Sequence, residues 1–164
     1  VYNINMSSTF LEISGPDRSG KDTLSLAIDK RYEDLGMAPV WAHVDVVIRA
    51  MYDFSVLDRF FNRTDYRALY DRIHFLKKNW GDYSVIYLTA SEEELVRRQQ
   101  EQIDAGELDG SAYNKHVVDI VKMRQVYEDF YHEFKDLIDI VRYDTSEMSP
   151  EDIVLDLSQN GYIE

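Results

Sequence analysis

The chain has 164 residues, a length that suits one domain with a sizeable hydrophobic core. Apolar residues make up 45% of it, but it has no cysteine and no apolar run of about 18 residues, so we expect no disulfides, cysteine-ligated zinc or membrane-spanning helix. The formal net charge of −13 opposes binding to a long polyanion such as duplex DNA, whereas a few focused cations can still hold a small phosphorylated ligand. The chain also lacks a signal-peptide pattern, and its lack of cysteine is what we expect of a cytoplasmic protein.

Short apolar runs alternate with helical patterns along the chain. Such alternation predicts an α/β fold in three layers, with about five parallel strands flanked by helices in a single domain spanning residues 1–164. The predicted strands are residues 9–13, 40–44, 54–57, 84–88 and 138–141. The predicted helices are residues 21–35, 46–52 and 111–134 and the segments that follow Thr64, Ser91 and Ser149.

Residues that cap or interrupt helices mark several of these boundaries. Gly36 closes the first helix, and Ser91 and Ser149 are suited to cap the N-termini of two later helices. Residues 104–110 are polar and include two glycines, which predicts a loop between two helices.

The segment Gly-Pro-Asp-Arg-Ser-Gly-Lys at residues 15–21 lies between the first predicted strand and the first predicted helix. Its glycines allow backbone N–H groups to turn into one concavity, and the helix N-terminus adds partial positive charge. Lys21 is placed to reach the β- and γ-phosphates of a nucleotide. A glycine-rich turn with a solvated lysine is the plainer interpretation, but the strand–loop–helix context favours a loop that binds the phosphates of ATP.

The residue after the loop lysine departs from the usual pattern. A serine or threonine normally stands there and offers its hydroxyl to Mg²⁺, but this chain has Asp22, with Thr23 next. A carboxylate is a good ligand for Mg²⁺, yet it also brings negative charge near the phosphates. Asp22 and Thr23 are the candidate metal ligands, and three explanations of Asp22 stay open: an altered metal position, weakened ATP binding or an engineered substitution.

Residues 15–23 resemble the phosphate loop of thymidylate kinases, in the type that carries its catalytic arginine within the loop. The resemblance implies a P-loop kinase fold. It also implies that Arg18 contacts the transferring phosphoryl group and that Asp17 helps to position the acceptor phosphate.

Further matches to this family are shorter. Residues 58–60, Asp-Arg-Phe, resemble its Asp-Arg-Tyr/Phe motif, which lies beside the acceptor nucleotide, and the prediction places them at the end of the third strand. Residues 144–146 resemble the segment near the adenine of ATP, and residues 104–112 lie where the family has its mobile lid. The acceptor region at residues 45–53 is shorter than in the family, and Arg49 is its only cation.

Other arginines are candidates because of their position. Arg63 follows the Asp-Arg motif and could bind the acceptor. Arg97 and Arg98 precede the predicted lid and could clamp phosphates on closure. Surface ion pairs are the alternative for all three arginines. The candidate catalytic residues are Asp17, Arg18, Lys21 and Asp58. The candidate ATP-binding residues are Gly15, Pro16, Ser19, Gly20, Lys21, Asp22, Thr23 and Arg97. The candidate acceptor-binding residues are Asp17, Arg49, Asp58, Arg59 and Arg63.

These observations together predict transfer of the γ-phosphoryl group from Mg²⁺-bound ATP to a small nucleotide, foremost a deoxynucleoside monophosphate such as dTMP. An alternative is a kinase that phosphorylates a hydroxymethyl pyrimidine, 5-hydroxymethyluracil, within DNA, as some phage relatives of this fold do. The shortened acceptor region favours that alternative and the net charge opposes it. A further alternative is a nucleotide-binding module without turnover, disabled by Asp22. We expect no membrane partner, and a homodimer stays open.

Overall fold

Four parallel strands form the central sheet of the part of the chain that the computed structural model describes. That part comprises residues 10–37, 44–48, 50–62, 70–71, 74–75, 78, 82–108 and 118–164. The strands are β1 (Phe10–Ser14), β2 (Asp45–Ile48), β3 (Tyr83–Thr89) and β4 (Asp139–Asp144), in the order β2-β1-β3-β4. In the register of the sheet, Ile13 lies opposite Ile48 on one side and Ile86 on the other.

Helices cover both faces of this sheet, as the alternating pattern predicts. The described helices are α1 (Lys21–Asp34), α2 (Met51–Phe60), α3 (Glu92–Asp104), α4 (Ile120–Phe134) and α5 (Pro150–Gln159). Leu11 and Ile13 pack with α1 and α5 on one face, whereas Val85 and Tyr87 pack with α2 and α4 on the other. β1 and β3 are buried along their whole length, which explains why they read as nearly continuous apolar runs.

The predicted third strand, residues 54–57, is wrong because these residues belong to α2. Tyr52, Val56 and Phe60 recur at helical spacing and face the core, where the rings of Tyr52 and Phe130 meet edge to face with centroids 5.2 Å apart.

The second strand is Asp45–Ile48, which overlaps the segment predicted as a short helix at residues 46–52. Of the strand predicted at residues 40–44, only Val44 is described, and it directly precedes β2. The described part of the sheet has four strands, where we expected about five.

Several other boundaries agree with the sequence prediction. The Ser91 side chain caps α3 by accepting from the N–H of Glu94, and Ser149 caps α5 in a reciprocal pair with Asp152.

The long helix predicted from residue 111 has its described start at Ile120, and residues 109–117 lie outside the described part. The predicted lid, residues 104–112, is described only to residue 108, and the helix predicted after Thr64 only at residues 70–71, 74–75 and 78. None of the described helices combines the length and apolar character needed to cross a membrane.

Candidate active site

The loop between β1 and α1 has the conformation that close approach to phosphate requires. Gly15 has φ +150°, and a Cβ placed there would lie 2.2 Å from the carbonyl oxygen of Leu88, so only glycine fits. Gly20, the N-cap residue of α1, has φ 94°, and Arg18 also has a positive φ of 70°, which a residue with a side chain seldom adopts. The loop is thus held in a particular, partly strained shape.

Lys21 spans this loop from its far end. Its Nζ donates hydrogen bonds to the carbonyl oxygens of Gly15, at 2.6 Å, and Pro16, at 2.8 Å, and the side chain is buried. A buried ammonium group is tolerated because these oxygens replace its water shell. The positively charged ammonium group of Lys21 is thus held against the first residues of the loop, and Lys21 lines the cavity described next.

A cavity of about 660 Å³ opens in front of the loop. Thr145 and Met148 line it from the connection between β4 and α5, and Arg98 and Gln102 line it from α3. Among the predicted site residues, those that line the cavity are Asp17, Arg18, Gly20, Lys21, Asp22 and Thr23. The other loop residues, Gly15, Pro16 and Ser19, are buried behind it.

Two buried polar atoms test whether this site suits a triphosphate. Arg18 Nε and Ser19 Oγ have no hydrogen-bond partner within the described part of the chain. Buried donors without partners are rare in proteins, and phosphate oxygens in the cavity would satisfy Arg18, which lines it. The loop residues therefore fit a phosphorylated ligand.

Asp22 and Thr23 lie on the first turn of α1, exposed to solvent and facing the cavity. No group of three or more acidic or histidine side chains able to hold a metal occurs among the described residues. Mg²⁺ at phosphate sites commonly takes only one or two protein ligands and completes its shell with phosphate oxygens and water. Oxygen ligands in this position fit such an ion, and the metal role of the two residues stays a prediction.

The Asp-Arg motif lies elsewhere than predicted. Asp58 and Arg59 are on α2, not at the end of a strand, and neither lines the cavity. Arg59 donates to Glu133 on α4 at 2.8 Å, and its guanidinium group lies 4.7 Å from the centre of the Phe130 ring. The strand beside β1 ends instead at Ile48.

Of the remaining candidates, Arg97 lies on the exposed side of α3 and pairs with Glu94 and Glu101 of the same helix. It does not line the cavity, so the structure favours the ion-pair interpretation of this residue. Arg49 and Arg63 lie outside the described residues.

Asp53 was not predicted from the sequence, although it contacts the loop directly. This buried residue of α2 accepts hydrogen bonds at Oδ1 from Ser14 Oγ at 2.8 Å, Tyr127 Oη at 2.6 Å and the Gly15 N–H at 3.4 Å. Asp53 therefore joins the first residues of the loop to α2 and α4.

Glu12, in β1, holds the N-terminus of α2 in place. Its carboxylate accepts from the backbone N–H groups of Ala50 at 2.9 Å, Tyr52 at 3.0 Å and Asp53 at 2.7 Å, and from the Tyr83 hydroxyl. Burial raises the pKa of Glu12 above its usual value, although these donors oppose the shift. Glu12 could have been found from the sequence, because a charged residue inside an apolar strand usually has a specific partner. Asp53 was missed because the strand wrongly predicted at residues 54–57 concealed the helix to which it belongs.

Arg98 and Thr145 connect the loop to the opposite wall of the cavity. Arg98 donates to the carbonyl oxygen of Arg18 at 2.9 Å, to Thr145 Oγ1 at 3.0 Å and to Glu94 at 2.7 Å. Arg97 and Arg98 together lower the pKa of Glu94 to about 2, so this carboxylate stays charged at any ordinary pH.

No family model matches this sequence, and no curated protein matches it. Solved structures do match. The YorR protein of Bacillus subtilis, in complex with phosphorylated GDP, is 18% identical with a TM-score of 0.62, over 93% of this chain and 95% of that one. Deoxyadenosine kinase of M. mycoides with bound dCTP is 16% identical with a TM-score of 0.56, over 93% of this chain and 100% of that one.

The fold is that of the P-loop kinases. Identities this low establish the fold alone. Within this P-loop kinase fold, the cavity lies at the carboxyl ends of the strands, since Ile48, Leu88 and Thr145 all line it. Open α/β sheets bind their ligands at that edge.

Proposed function

We propose that this protein transfers the γ-phosphoryl group of ATP, bound with Mg²⁺, to a small nucleotide-type acceptor. The observation that carries the proposal is the loop at residues 15–20. Lys21 closes this loop, and Arg18 stands at the edge of the cavity with its buried Nε lacking a hydrogen-bond partner among the described residues. Positive groups held in such a place stabilise charge on a transferring phosphoryl group, which supplies most of the catalysis in this chemistry.

Each group has a distinct part in this reaction. The acceptor oxygen forms a bond to the γ-phosphorus as the bond to the β–γ bridging oxygen breaks, and ADP leaves. The loop amides and Lys21 hold the β- and γ-phosphates, and Arg18 stabilises the negative charge on the transferring phosphoryl group. Asp22 and Thr23 would hold Mg²⁺, which neutralises charge on the phosphates when bound.

A deoxynucleoside monophosphate such as dTMP is the first acceptor to consider. The resemblance of residues 15–23 to thymidylate kinases supports it, and Asp17, the expected partner of the acceptor phosphate, lines the cavity. Arg49 directly follows β2 in the sequence, and a role for it in binding the acceptor stays a prediction.

The 5′-hydroxyl of a deoxynucleoside is the second candidate. The placement of Asp58 and Arg59 on α2, away from the cavity lining, removes the support that the Asp-Arg motif lent to a monophosphate acceptor. A nucleoside acceptor carries no phosphate, so the site that binds it needs no arginine in the role predicted for Arg59. The M. mycoides deoxyadenosine kinase, which shares the fold, has been solved with its products dCMP and dCDP.

The experiment is an acceptor screen with γ-labelled ATP and Mg²⁺. Its arms are the common deoxynucleoside monophosphates, the deoxynucleosides and duplex DNA that contains 5-hydroxymethyluracil. We expect label on a monophosphate, and label on a nucleoside would select the second candidate. Label on DNA alone would contradict a small acceptor. ATP binding without transfer in any arm would contradict catalysis and indicate a nucleotide-binding module.

A further inference from the structure

Two carbonyl oxygens of the phosphate loop are held from outside the loop. A loop that turns its N–H groups toward phosphate must turn its carbonyl groups away, and a carbonyl removed from water needs a donor. Arg98 Nη1 donates to the carbonyl oxygen of Arg18 at 2.9 Å. Thr145 Oγ1 lies 3.1 Å from the carbonyl oxygen of Ser19 and can donate to it. Successive carbonyls are thus turned outward onto two side chains from distant parts of the sequence.

Arg98 and Thr145 are also bound to each other. Arg98 Nη1 donates to Thr145 Oγ1, and Nη2 donates to the carbonyl oxygen of Thr145, both at 3.0 Å. The Thr145 N–H donates to the carbonyl oxygen of Thr89 at 2.9 Å, which anchors the residue to the end of β3. The hydroxyl hydrogen of Thr145 serves either Ser19 or Thr89, while its oxygen accepts from Arg98.

The position held in this way is a strained one. Arg18 has φ 70°, in the left-handed region that side-chain-bearing residues avoid. Residues persist in that region only where surrounding contacts impose it. The hydrogen bond from Arg98 to the Arg18 carbonyl is such a contact.

An ordinary ion pair on the helix surface does not describe Arg98. Its neighbour Arg97 shows that pattern, because its bonds go to carboxylates of α3. Arg98 makes one such bond, to Glu94, and directs its two Nη atoms across the cavity wall to Arg18 and Thr145.

We propose that Arg98 and Thr145 form a brace that holds the phosphate loop in its observed conformation before a nucleotide binds. They are positioning residues, because they act on phosphate through the backbone of Arg18 and Ser19. The kinetic consequence rests on the proposed function, whereas the effect on the free loop does not. Loss of the brace leaves the loop to be ordered by the incoming nucleotide, which weakens binding and misplaces the Arg18 side chain.

Hydrogen–deuterium exchange of residues 15–24 in the nucleotide-free protein tests the brace independently of activity. Thr145→Val keeps the shape of the side chain but removes its hydroxyl, and Thr145→Ser keeps the hydroxyl. We expect about 3- to 10-fold faster exchange in Thr145→Val and Arg98→Ala, the size of one lost hydrogen bond. Thr145→Ser should stay within about twofold of the wild type.

Arg31→Ala is the matched control for the loss of an arginine. Arg31 is another half-buried arginine with tertiary bonds, to Ser158 at 2.7 Å and to the Glu164 carbonyl, and it does not line the cavity. This variant should leave exchange of the loop unchanged. If Arg98→Ala does not fold, the two Thr145 variants decide the matter alone.

Steady-state kinetics supply the second measurement. We expect Thr145→Val to raise KM for ATP and lower kcat by about 3- to 10-fold each, with rescue in Thr145→Ser. Unchanged loop exchange in folded Thr145→Val and Arg98→Ala would overturn the brace, as would faster exchange spread equally over β1 and α1. A wild type without transfer would refute the proposed function, while the exchange result would still decide the brace.

Discussion

The phosphate loop and the region around α2, which flank β1, differ in how far their sequence motifs determine their geometry. On the phosphate side, residues 15–21 form the loop, Lys21 and the start of α1 in one continuous stretch, and the structure brings them together. On the opposite side of β1, Asp58 and Arg59 lie on α2 instead of at a strand end. A continuous motif brings its own backbone constraints, whereas a two-residue motif depends on the element that carries it.

The same difference appears in what holds each region. The loop is constrained by glycine conformations, by Lys21 and by outside donors such as Arg98. The start of α2 is held by the buried carboxylate of Glu12, which accepts hydrogen bonds from its backbone N–H groups. Substitutions on the two sides should therefore have separable effects on catalysis and on stability.

The largest effect on stability should follow from Gly15→Ala. The added methyl group would lie 2.2 Å from the Leu88 carbonyl oxygen, and a backbone contact of that kind can only be relieved by moving β1 or β3. We expect a loss of about 3 kcal/mol or more in the free energy of unfolding, measured by urea denaturation. Gly36→Ala is the control: it shares a positive φ, of +70°, but meets nothing within 4 Å, so it should lose only about 1 kcal/mol. Equal losses would refute the steric account of the loop.

Arg18→Ala should separate rate from binding on the phosphate side. An arginine that acts on charge in the transition state affects kcat more than affinity. We expect kcat to fall about 100-fold with little change in ATP affinity by calorimetry. A rise in KM alone would show that Arg18 binds the ground state instead.

Glu12→Gln should destabilise α2 in a pH-dependent manner. The amide replaces one acceptor oxygen, so backbone N–H groups lose a partner, at a loss of about 2 kcal/mol. Burial raises the pKa of Glu12 in the folded protein above its value in the unfolded chain. Protonation of Glu12 therefore stabilises the folded state fully at pH values below the unfolded-state pKa. This stabilisation is lost as the pH rises through the folded-state pKa. The stability difference between wild type and variant should thus shrink from acidic toward neutral pH in urea titrations. A difference that grows with pH would contradict the raised pKa.

Arg59→Ala has the smallest expected effect and tests the acceptor side. If Arg59 serves only Glu133 and the Phe130 ring, the variant should lose about 1 kcal/mol of stability with no change in acceptor KM. Glu133→Ala should then give a similar loss. An acceptor KM that rises in Arg59→Ala but not in Glu133→Ala would restore the acceptor role predicted from the sequence.

Much of the fold was predictable because its signals are local. β1 and β3 read as apolar runs, and the caps at Ser91 and Ser149 lie where the sequence places them. The region around α2 was not predictable in this way. Residues 54–57 are rich in strand-forming types, but helical spacing of core contacts and capping by Glu12 from another element decide the outcome.

The residues of the site also fall into those that a local motif predicts and those that only tertiary contacts bring together. Lys21, Arg18 and Asp22 line the cavity as their motif suggests. Asp53, Arg98 and Thr145 bond to the loop or its neighbours from far along the chain, and no spacing rule connects them to it. Residues 144–146 did resemble a nucleotide-binding segment, but the bond from Thr145 to the loop itself is a tertiary contact that only the fold shows.

The most direct test of the central claim compares Lys21→Ala with Lys30→Ala in the γ-labelled ATP assay. Both lysines lie on α1, but Lys21 crosses the phosphate loop, whereas Lys30 forms an exposed ion pair with Asp34 at 3.1 Å. The account predicts that Lys21→Ala lowers phosphoryl transfer by about 1,000-fold or more with its circular dichroism spectrum intact, while Lys30→Ala stays at the wild-type rate. Undiminished turnover in folded Lys21→Ala would contradict the assignment of this loop as the site of phosphoryl transfer.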